Sequence, residues 1–513
     1  MAASHIVIVG GGNAGLCAAL SAREQGADVT VLEAAPEAER GGNSAFTAGA
    51  MRVAYQGVDD LLKLMPELTK EDRELTDFGS YSESQFMDDM GRVTDYRCDP
   101  ALTSLLISES LGTLMWMREK GIRFLPVYGR QAFKVDGKFT FWGGLTVEVT
   151  GGGPGLVNTL HECARREGIE VLYERRAVGL LERDGAACGV VVRHNGKREE
   201  VAADAVVLAS GGFQANAEWR TRYLGPGWDL ARVRGTRFNT GEGIRMALEM
   251  GAIPWGNWSG CHAVGWDLNA PPFGNLAVGD GYQKHSYPFG IMVNGDGERF
   301  VDEGADFRNY TYAKYGRLIL NQPGQFAWQV FDGRVRHLLR DEYRIREASK
   351  VSAPTLEELA TRMEGVDQPA FLETVSAFNA AVNVDQDFNP NIKDARATVG
   401  LRVNKSNWAN PLDTPPYEAY AVTCGITFTF GGLRITEQGG VLDTAGKLIP
   451  GLFACGELVG GIFYFNYPGG TGLTSGAVFG RLAGRAAAAV GSTGDASTPP
   501  LATARHRRDG DMP

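Results

Sequence analysis

The most specific chemical signal in the sequence is a glycine-rich turn near its start. Gly10, Gly12 and Gly15 form a Gly-x-Gly-x-x-Gly pattern directly after an apolar segment, and Glu33 closes the next apolar segment. Gly10 permits a tight turn, Gly12 lets backbone N–H groups approach a pyrophosphate, and Gly15 lets a helix pack closely on the strand. Glu33 can accept a hydrogen bond from a ribose hydroxyl. The pattern predicts a dinucleotide-binding turn.

Segments far along the chain indicate which dinucleotide is bound. A nicotinamide cofactor needs no contact near the other end of the chain, whereas an extended flavin dinucleotide does. Glu457 follows a short apolar segment there and is predicted to bind a hydroxyl of the ribityl chain or the ribose. The helix that begins after Gly469 could place its N–H groups near the negative charge of a reduced flavin ring. These features favour FAD.

Hydrophobic periodicity indicates the elements that must position these residues. Buried strands are predicted at 5–9, 27–33, 169–173, 205–209 and 451–455, and helices at 16–25, 156–166, 355–364, 369–382 and 472–490. Residues 58–123 are periodic and polar, which indicates helices outside the sheet. The prediction is an α/β protein with a Rossmann-like FAD-binding domain (residues 1–255 and 425–491), an inserted α+β capping domain (256–424) and a disordered tail (492–513).

Composition and charge exclude several classes of protein. The chain has 513 residues, more than one core usually supports, and 68 of them are glycine. Its 51 Lys and Arg residues against 61 Asp and Glu residues give a net charge of -10, which disfavours a nucleic-acid partner. The seven cysteines are scattered, which indicates neither a disulfide framework nor a metal site. The N-terminal apolar segment lacks a basic region, so we expect a cytoplasmic protein without a signal peptide or membrane span.

Several of these segments resemble the flavoprotein subunits of the fumarate reductase and succinate dehydrogenase family. The resemblance covers nearly the whole chain and depends on residues 10–15, 41–49, 207–213, 239–243, 293–303 and 451–457. Residues 427–434 and 463–470 are most similar to tricarballylate dehydrogenases, which oxidise a tricarboxylate to cis-aconitate. The family implies an active site between the FAD domain and the cap. Some members attach FAD through a histidine, but residues 43–52 contain none, so we predict noncovalent FAD.

The glycine turn and the resemblance together define the predicted FAD-binding residues. They are Gly10, Gly12, Asn13, Ala14, Gly15, Glu33, Gly41, Gly42, Asn43, Ser44, Ala48, Gly49, Ala177, Val178, Ser210, Gly211, Gly212, Asn239, Glu242, Gly456, Glu457, Gly472, Leu473 and Thr474.

The resemblance carries over catalytic residues only in part. His262 lies where the family has a histidine that binds a substrate carboxylate, and Arg308 matches its proton-donating arginine if one residue is inserted. Thr427 and Phe428 replace two family histidines, and Tyr467 replaces a substrate-binding arginine. The family's proton-relay residues are not evident near residues 283–286.

The predicted catalytic residues are Arg308, Tyr467 and His262, and the predicted substrate ligands are His262, Thr427, Thr429 and Arg308. Arg308 either transfers a proton or only clamps a carboxylate. The Tyr467 phenol is the alternative acid or base, or a packing aromatic, and the threonines are hydroxyl donors or strand packing. Secondary predicted ligands for a polyanion are Arg434, Arg237, His285 and Lys284.

The sequence predicts an FAD-dependent dehydrogenase or reductase acting on CH–CH groups of a small anionic polycarboxylate such as tricarballylate. Electrons would pass to an unidentified carrier such as a separate redox protein. One alternative is desaturation of a cyclic ketone, because 3-ketosteroid Δ1-dehydrogenases resemble the Tyr467-Pro-Gly segment. Another is a flavin-carrying subunit without turnover of its own.

Overall fold

The structure is a computed structural model that describes residues 3–492. Up to residue 149 the helices and strands are β1 (His5–Val9), α1 (Asn13–Glu24), β2 (Asp28–Leu32), β3 (Ala50–Met51), α2 (Val58–Leu64), α3 (Lys70–Glu74), β4 (Thr76–Asp77), α4 (Glu83–Val93), α5 (Pro100–Glu119), β5 (Phe124–Pro126), α6 (Tyr128–Gln131), β6 (Ala132–Val135), β7 (Lys138–Phe141) and β8 (Val147–Val149).

The remaining elements, joined in places by short helical turns, follow in chain order. They are α7 (Gly152–Arg166), β9 (Glu170–Leu172), β10 (Arg176–Arg183), β11 (Ala186–His194), β12 (Lys197–Ala202), β13 (Ala205–Leu208), α8 (Ala217–Trp219), β14 (Arg232–Val233), α9 (Glu242–Glu249), β15 (Pro254–Asp267), β16 (Ile291–Val293), α10 (Tyr312–Leu320), β17 (Phe326–Phe331), β18 (Lys350–Ala353), α11 (Leu356–Arg362), α12 (Gln368–Ala381), β19 (Tyr417–Leu433), β20 (Gly440–Leu442), β21 (Leu448–Ala454) and α13 (Thr471–Ser492).

A six-stranded sheet in the order β20-β21-β13-β1-β2-β9 forms the centre of the molecule. Strand β1 is parallel to β13 and β2, with Val7 opposite Val206 and Thr30. The residues of β1 from Ile6 to Val9 are buried, as expected for a parallel strand covered on both faces. The predicted α/β fold and its strands are confirmed, with boundaries shifted by a few residues.

Two helices meet unusually closely beside this sheet. A Cβ atom on Gly480 of α13 would lie 2.4 Å from the Ala14 carbonyl oxygen of α1, and one on Gly484 would lie 2.1 Å from that of Ala18. The Ser21 hydroxyl donates to the Arg481 carbonyl at 2.7 Å. The glycines of α13 therefore allow direct backbone contact with the helix that follows the glycine turn.

A second sheet has the order β14-β19-β17-β16, and β15 and β18 also pair with β19. The long antiparallel pair β15–β19 places His262 opposite Phe428. The predicted domain boundaries at 255/256 and 424/425 fall within these two strands, so the sheet continues across both. Residues 493–513 of the predicted disordered tail lie outside the described residues.

A hairpin formed by β6 and β7 leaves the first half of the chain and contacts the region after residue 256. Its turn residues Asp136 and Gly137 both have positive φ, at 50° and 81°, which suits a tight hairpin turn. Helices α2 to α5 fill most of residues 58–119, as predicted, and β4 joins β7 in a small sheet. Within the described residues, no helix has the length and apolarity needed to span a membrane.

Candidate functional site

Two adjoining cavities form one extended cleft, because both are lined by Asn13, Ala14, Asn43, Ser44 and Glu457. We name its two ends by their residues. The turn end is lined by Gly10, Gly12, Glu33, Ser210 and Asn239. The arginine end is lined by Arg130, Arg234, Asp280, His285 and Arg308.

The glycine turn at the turn end leaves no space for side chains. Gly10 has a φ of +113°, and a Cβ atom there would lie 2.5 Å from the Ala209 carbonyl oxygen. A Cβ atom on Gly15 would lie 2.0 Å from the Gly10 carbonyl oxygen. These contacts hold β1, α1 and β13 at the distance that a dinucleotide-binding turn needs.

Glu33 lies at the end of β2 and braces the turn. Its carboxylate accepts hydrogen bonds from the backbone N–H groups of Gly11 (2.9 Å) and Ala35 (2.8 Å). Burial raises the pKa of Glu33, and these two N–H groups oppose that rise. His161 Nε2 donates to the Gly11 carbonyl at 3.1 Å, so sequence reasoning missed a second residue that fixes the turn.

Glu457 joins the two ends of the cleft. Its carboxylate accepts from the Thr429 backbone N–H at 2.9 Å, and from the side-chain amides of Gln214 (3.3 Å) and Asn239 (3.4 Å). Burial raises the pKa of Glu457 to about 7 despite these hydrogen bonds. A Cβ atom on Gly212 would lie 2.2 Å from the carboxylate, which explains the glycine at that position.

The structure brings most predicted FAD-binding residues to the cleft. Those that line it are Gly10, Gly12, Asn13, Ala14, Glu33, Gly41, Gly42, Asn43, Ser44, Ala48, Ala177, Ser210, Asn239, Glu242, Gly456, Glu457, Gly472 and Leu473. Those that lie behind the lining are Gly15, Gly49, Val178, Gly211, Gly212 and Thr474. The Thr474 hydroxyl donates to the Arg52 carbonyl at 2.8 Å, so its side chain points away from the cleft.

The residues present fit FAD. Ser210 lines the turn end, and no residue between 3 and 492 supplies a hydrogen-bond partner for its buried hydroxyl. The cleft extends from the turn to the start of α13, whose first-turn residues Gly472 and Leu473 line it. A cofactor with a pyrophosphate, hydroxyls and a flat ring would satisfy these groups together.

The arginine end has an excess of positive charge. Arg234 donates to Asp280 through Nε at 2.8 Å and contacts it again through Nη2 at 2.6 Å. Arg130 contacts the other oxygen of the same carboxylate at 3.3 Å. Three guanidinium groups line this end, and the described carboxylates that line the same cavity are Asp280 and, where the two ends join, Glu457. An anion is the expected ligand.

Arg308 is held by the backbone and by a neutral histidine. Its Nε donates to the Arg130 carbonyl at 3.2 Å, and its Nη2 donates to the same oxygen. Its Nη1 lies 3.3 Å from His285 Nδ1. Burial lowers the pKa of Arg308, and burial and Arg308 keep the pKa of His285 well below its usual range. Neutral Nδ1 accepts from Arg308, so the other nitrogen, Nε2, carries the proton.

Tyr467 lines the arginine end together with a second phenol that the sequence did not indicate. The hydroxyl oxygens of Tyr467 and Tyr312 are 2.5 Å apart. Burial raises the pKa of both phenols, so both are protonated at neutral pH. Phe428, Phe430 and Phe463 also line the cleft and form an aromatic wall with the two phenols.

His262 lies behind this wall. Its ring contacts Tyr312, Phe428 and Tyr467 with centroids 4.8 to 5.2 Å apart. It is fully buried and does not line the cleft, and neither ring nitrogen has a hydrogen-bond partner in the described part of the chain. Burial and Arg234 hold its pKa well below the usual range. Its role as a substrate ligand stays a prediction.

The two predicted threonine ligands are both engaged by protein groups. The Thr427 hydroxyl accepts from Arg234 Nη1 at 3.2 Å. The Thr429 hydroxyl lies 3.3 Å from the Glu457 carboxylate and belongs to the hydrogen bonds around it. Both still line the cleft.

Of the four secondary ligands, His285 alone lines the cleft. Arg434 stacks on Trp255, Arg237 pairs with Glu39, and Lys284 is buried against Asp267 at 3.3 Å. Sequence reasoning missed Arg130, Arg234 and Asp280, because they come from separate segments with no motif or spacing in common. The described residues contain no group of side chains that could hold a metal ion.

Comparison with known proteins gives consistent results. A family model described as FAD binding domain matches residues 5–473. A probable fumarate reductase of Shewanella frigidimarina is 30% identical over 499 residues, covering 94% of this chain and 75% of that protein. A 3-oxosteroid 1-dehydrogenase of Mycobacterium tuberculosis is 29% identical over 378 residues, covering 68% of this chain and 65% of that protein.

A solved structure, the open conformation of a flavocytochrome c3 fumarate reductase, is also similar. It matches with a TM-score of 0.69 and 27% identity, covering 95% of this chain and 78% of that one.

Proposed function

The chain belongs to the FAD binding domain family, and on that premise we propose that it forms or reduces a carbon–carbon double bond next to a carboxylate of a small polycarboxylate. The FAD cofactor and the resemblance to fumarate reductase flavoproteins are confirmed. The chain is an FAD-dependent oxidoreductase that acts on CH–CH groups. The finer proposal is that tricarballylate is oxidised to cis-aconitate.

The excess positive charge of the arginine end is the observation that carries this proposal. Arg130, Arg234 and Arg308 line that end, and Asp280 is the carboxylate that contacts two of them. Buried guanidinium groups without an equal number of carboxylates are unfavourable unless a ligand supplies negative charge. A substrate carboxylate would supply it and would be held beside the cofactor.

The chain would hold FAD noncovalently through the residues that line the turn end and through Glu457. When bound, FAD supplies the acceptor or donor of a hydride at one substrate carbon. The neighbouring carbon must then lose or gain a proton, and that step falls to a residue of the arginine end.

Arg308 is the proposed proton-transfer group. Burial lowers its pKa, and neutral His285 and the Arg130 carbonyl fix the direction of its N–H groups. In the oxidising direction the neutral form of Arg308, which its lowered pKa makes more accessible, takes a proton from one carbon while the hydride leaves the other. In the reducing direction it returns that proton. Tyr467 is the alternative, and as a buried phenol it would act as an acid or stabilise an enolate oxygen.

A second candidate function is desaturation of a cyclic ketone. The observation that favours it is the pair of phenols 2.5 Å apart in an aromatic wall, since two protonated phenols can donate to a carbonyl oxygen. The relative from Mycobacterium tuberculosis is named 3-oxosteroid 1-dehydrogenase. The unbalanced arginines favour the acid instead.

Two further parts of the proposal concern the surroundings of the protein. Electrons would pass to or from a separate carrier. The protein would work in the cytoplasm, which is consistent with seven free thiols, five of them buried.

The proposal is tested by anaerobic titration of the FAD-loaded protein followed in the visible spectrum. Tricarballylate should bleach the oxidised flavin band. Malonate is the matched control, because it binds as an acid but has no CH–CH pair to oxidise. Bleaching by a 3-ketosteroid and not by any acid would establish the second candidate. No response to either class would overturn both and favour a subunit without turnover.

A further inference from the structure

Arg130 reaches the arginine end from outside the predicted cap. It lies in α6, directly before the β6–β7 hairpin, whereas Asp280, His285 and Arg308 lie after residue 256. Its carbonyl oxygen accepts from Arg308, and its Nη1 lies 3.3 Å from Asp280 Oδ2. Two halves of the chain therefore build this end of the cleft together.

The three guanidinium groups differ in how far the protein already uses their N–H groups. Arg234 donates through all three nitrogens, to Asp280 and to Thr427. Arg308 is bound by the Arg130 carbonyl and by His285. For Arg130, by contrast, the described residues supply one contact at 3.3 Å, and 26% of its side chain is exposed. Arg130 has the most N–H groups left for a ligand.

Nearby groups leave the excess positive charge in place. Glu342 and Arg340 interact electrostatically with Arg308 but do not line this cleft. Because their charges are opposite, their effects on Arg308 oppose each other. Glu148 also acts on Arg130 from outside the lining, and burial raises the pKa of Glu148 to about 7. The three arginines still outnumber Asp280 and Glu457, the carboxylates that line this cavity among the described residues. Gln283 Nε2 and His285 Nε2 are buried there without a partner among the described residues, so neutral donors are also available to a ligand.

We propose that Arg130 binds a second anionic group of the substrate, separate from the group held at Arg308. This inference rests on the proposed function, in which the substrate is a polycarboxylate, and it assigns Arg130 to the second carboxylate of that substrate. Asp280 is the positioning residue, because it holds Arg130 and Arg234 through its two oxygens. Arg130 thus makes the enzyme select acids with two or more carboxylates over acids with one.

The position of the hairpin does not depend on the Arg130 guanidinium. Phe133 packs edge-on against Phe289 with centroids 5.3 Å apart, and its backbone bonds to the Asn391 side chain at 2.9 and 3.2 Å. Arg340 stacks on Phe133 at 3.8 Å. Arg308 donates to the backbone carbonyl of Arg130, which a change of side chain at residue 130 does not remove.

The test compares three acids with one, two and three carboxylates: propionate, succinate and tricarballylate. Their dissociation constants are measured by calorimetry on the FAD-loaded protein at constant ionic strength. Arg130→Gln should weaken succinate and tricarballylate by about 10- to 100-fold and propionate by less than about 3-fold. Arg130→Lys should recover part of the loss, because it restores the charge but not the fork of donors.

Arg402→Gln is the matched control, since Arg402 is an exposed arginine paired with Glu298 at 2.7 Å and should leave all three constants unchanged. Equal weakening of all three acids by Arg130→Gln, or no weakening, would overturn the inference. So would wild-type protein that binds succinate no more tightly than propionate. If the protein binds acids with two or three carboxylates selectively but its flavin is not bleached, the proposed function is wrong and the binding role of Arg130 is kept.

Discussion

The two ends of the cleft differ in which groups form them, mainly backbone at one end and side chains at the other. The turn end is made of backbone, with glycines whose Cβ atoms would lie 2.0 to 2.5 Å from carbonyl oxygens of neighbouring elements. The arginine end is made of long side chains from separate segments, held by ion pairs and carbonyl contacts. A site made of backbone tolerates almost no substitution, whereas a site made of side chains can change its ligand one residue at a time.

Gly15→Ala is expected to have the largest effect, because the new Cβ atom would lie 2.0 Å from the Gly10 carbonyl oxygen and neither backbone can move. We expect loss of bound FAD and a decrease in the free energy of unfolding of about 3 kcal/mol. The ratio of flavin to protein absorbance and thermal unfolding measure both. Gly112→Ala in α5 is the control, with no atom within 4 Å of the new Cβ; a similar loss there would contradict the argument.

Arg308→Ala should remove the chemistry and leave the turn end intact. We expect the rate of flavin reduction by substrate to fall about 1000-fold with FAD retained, since proton transfer and carboxylate binding are both lost. Stopped-flow absorbance under anaerobic conditions measures this rate. Arg308→Lys keeps a positive charge and should recover less than a tenth of the wild-type rate. An unchanged rate in Arg308→Ala would remove Arg308 from the mechanism.

Tyr467→Phe separates the two candidate substrates. With an acid substrate, loss of one phenol of the Tyr312–Tyr467 pair should slow flavin reduction about 10-fold. Tyr312→Phe is the matched variant and should behave similarly. A loss of about 1000-fold for Tyr467→Phe alone would instead make Tyr467 the proton-transfer group and favour a ketone.

Glu457→Gln tests the contribution of a side chain at the turn end, which is otherwise built mainly of backbone. The folded pKa of Glu457 is raised from 4.5 to about 7, so the folded state binds the extra proton between these values. Its contribution to stability is therefore full below about pH 4.5 and lost as the pH rises through about 7.

We expect the free energy of unfolding of FAD-free wild type to fall by about 3 kcal/mol relative to Glu457→Gln across this range. Urea unfolding at several pH values measures the difference. A pH-independent difference between the two proteins would show that Glu457 is ionised throughout.

The same contrast explains what the sequence could and could not predict. The glycine turn, Glu33 and Glu457 are found from local spacing, because the backbone geometry they need is set by neighbours in the chain. Arg130, Arg234 and Asp280 meet only in the folded molecule, and nothing in their local sequence separates them from Arg237, which pairs with Glu39 at the surface. Tertiary contacts decide which arginine becomes a ligand.

The position of His262 in the family pattern does not specify the surroundings of its side chain. The β15–β19 pairing places it opposite Phe428, where Tyr312, Phe428 and Tyr467 surround its ring. The sequence indicates His262 as a candidate ligand. It does not indicate that three aromatic side chains from three segments separate His262 from the cleft.

The close contact of α13 with α1 has a consequence for how the protein is made. The cleft is lined by residues from Val9 to Gly476, and β1 pairs with β13, which in turn pairs with β21. A chain that leaves the ribosome N-terminus first therefore exposes the glycine turn long before Gly480 and Gly484 can pack on it. FAD capture and completion of the central sheet are then late and coupled events of biosynthesis.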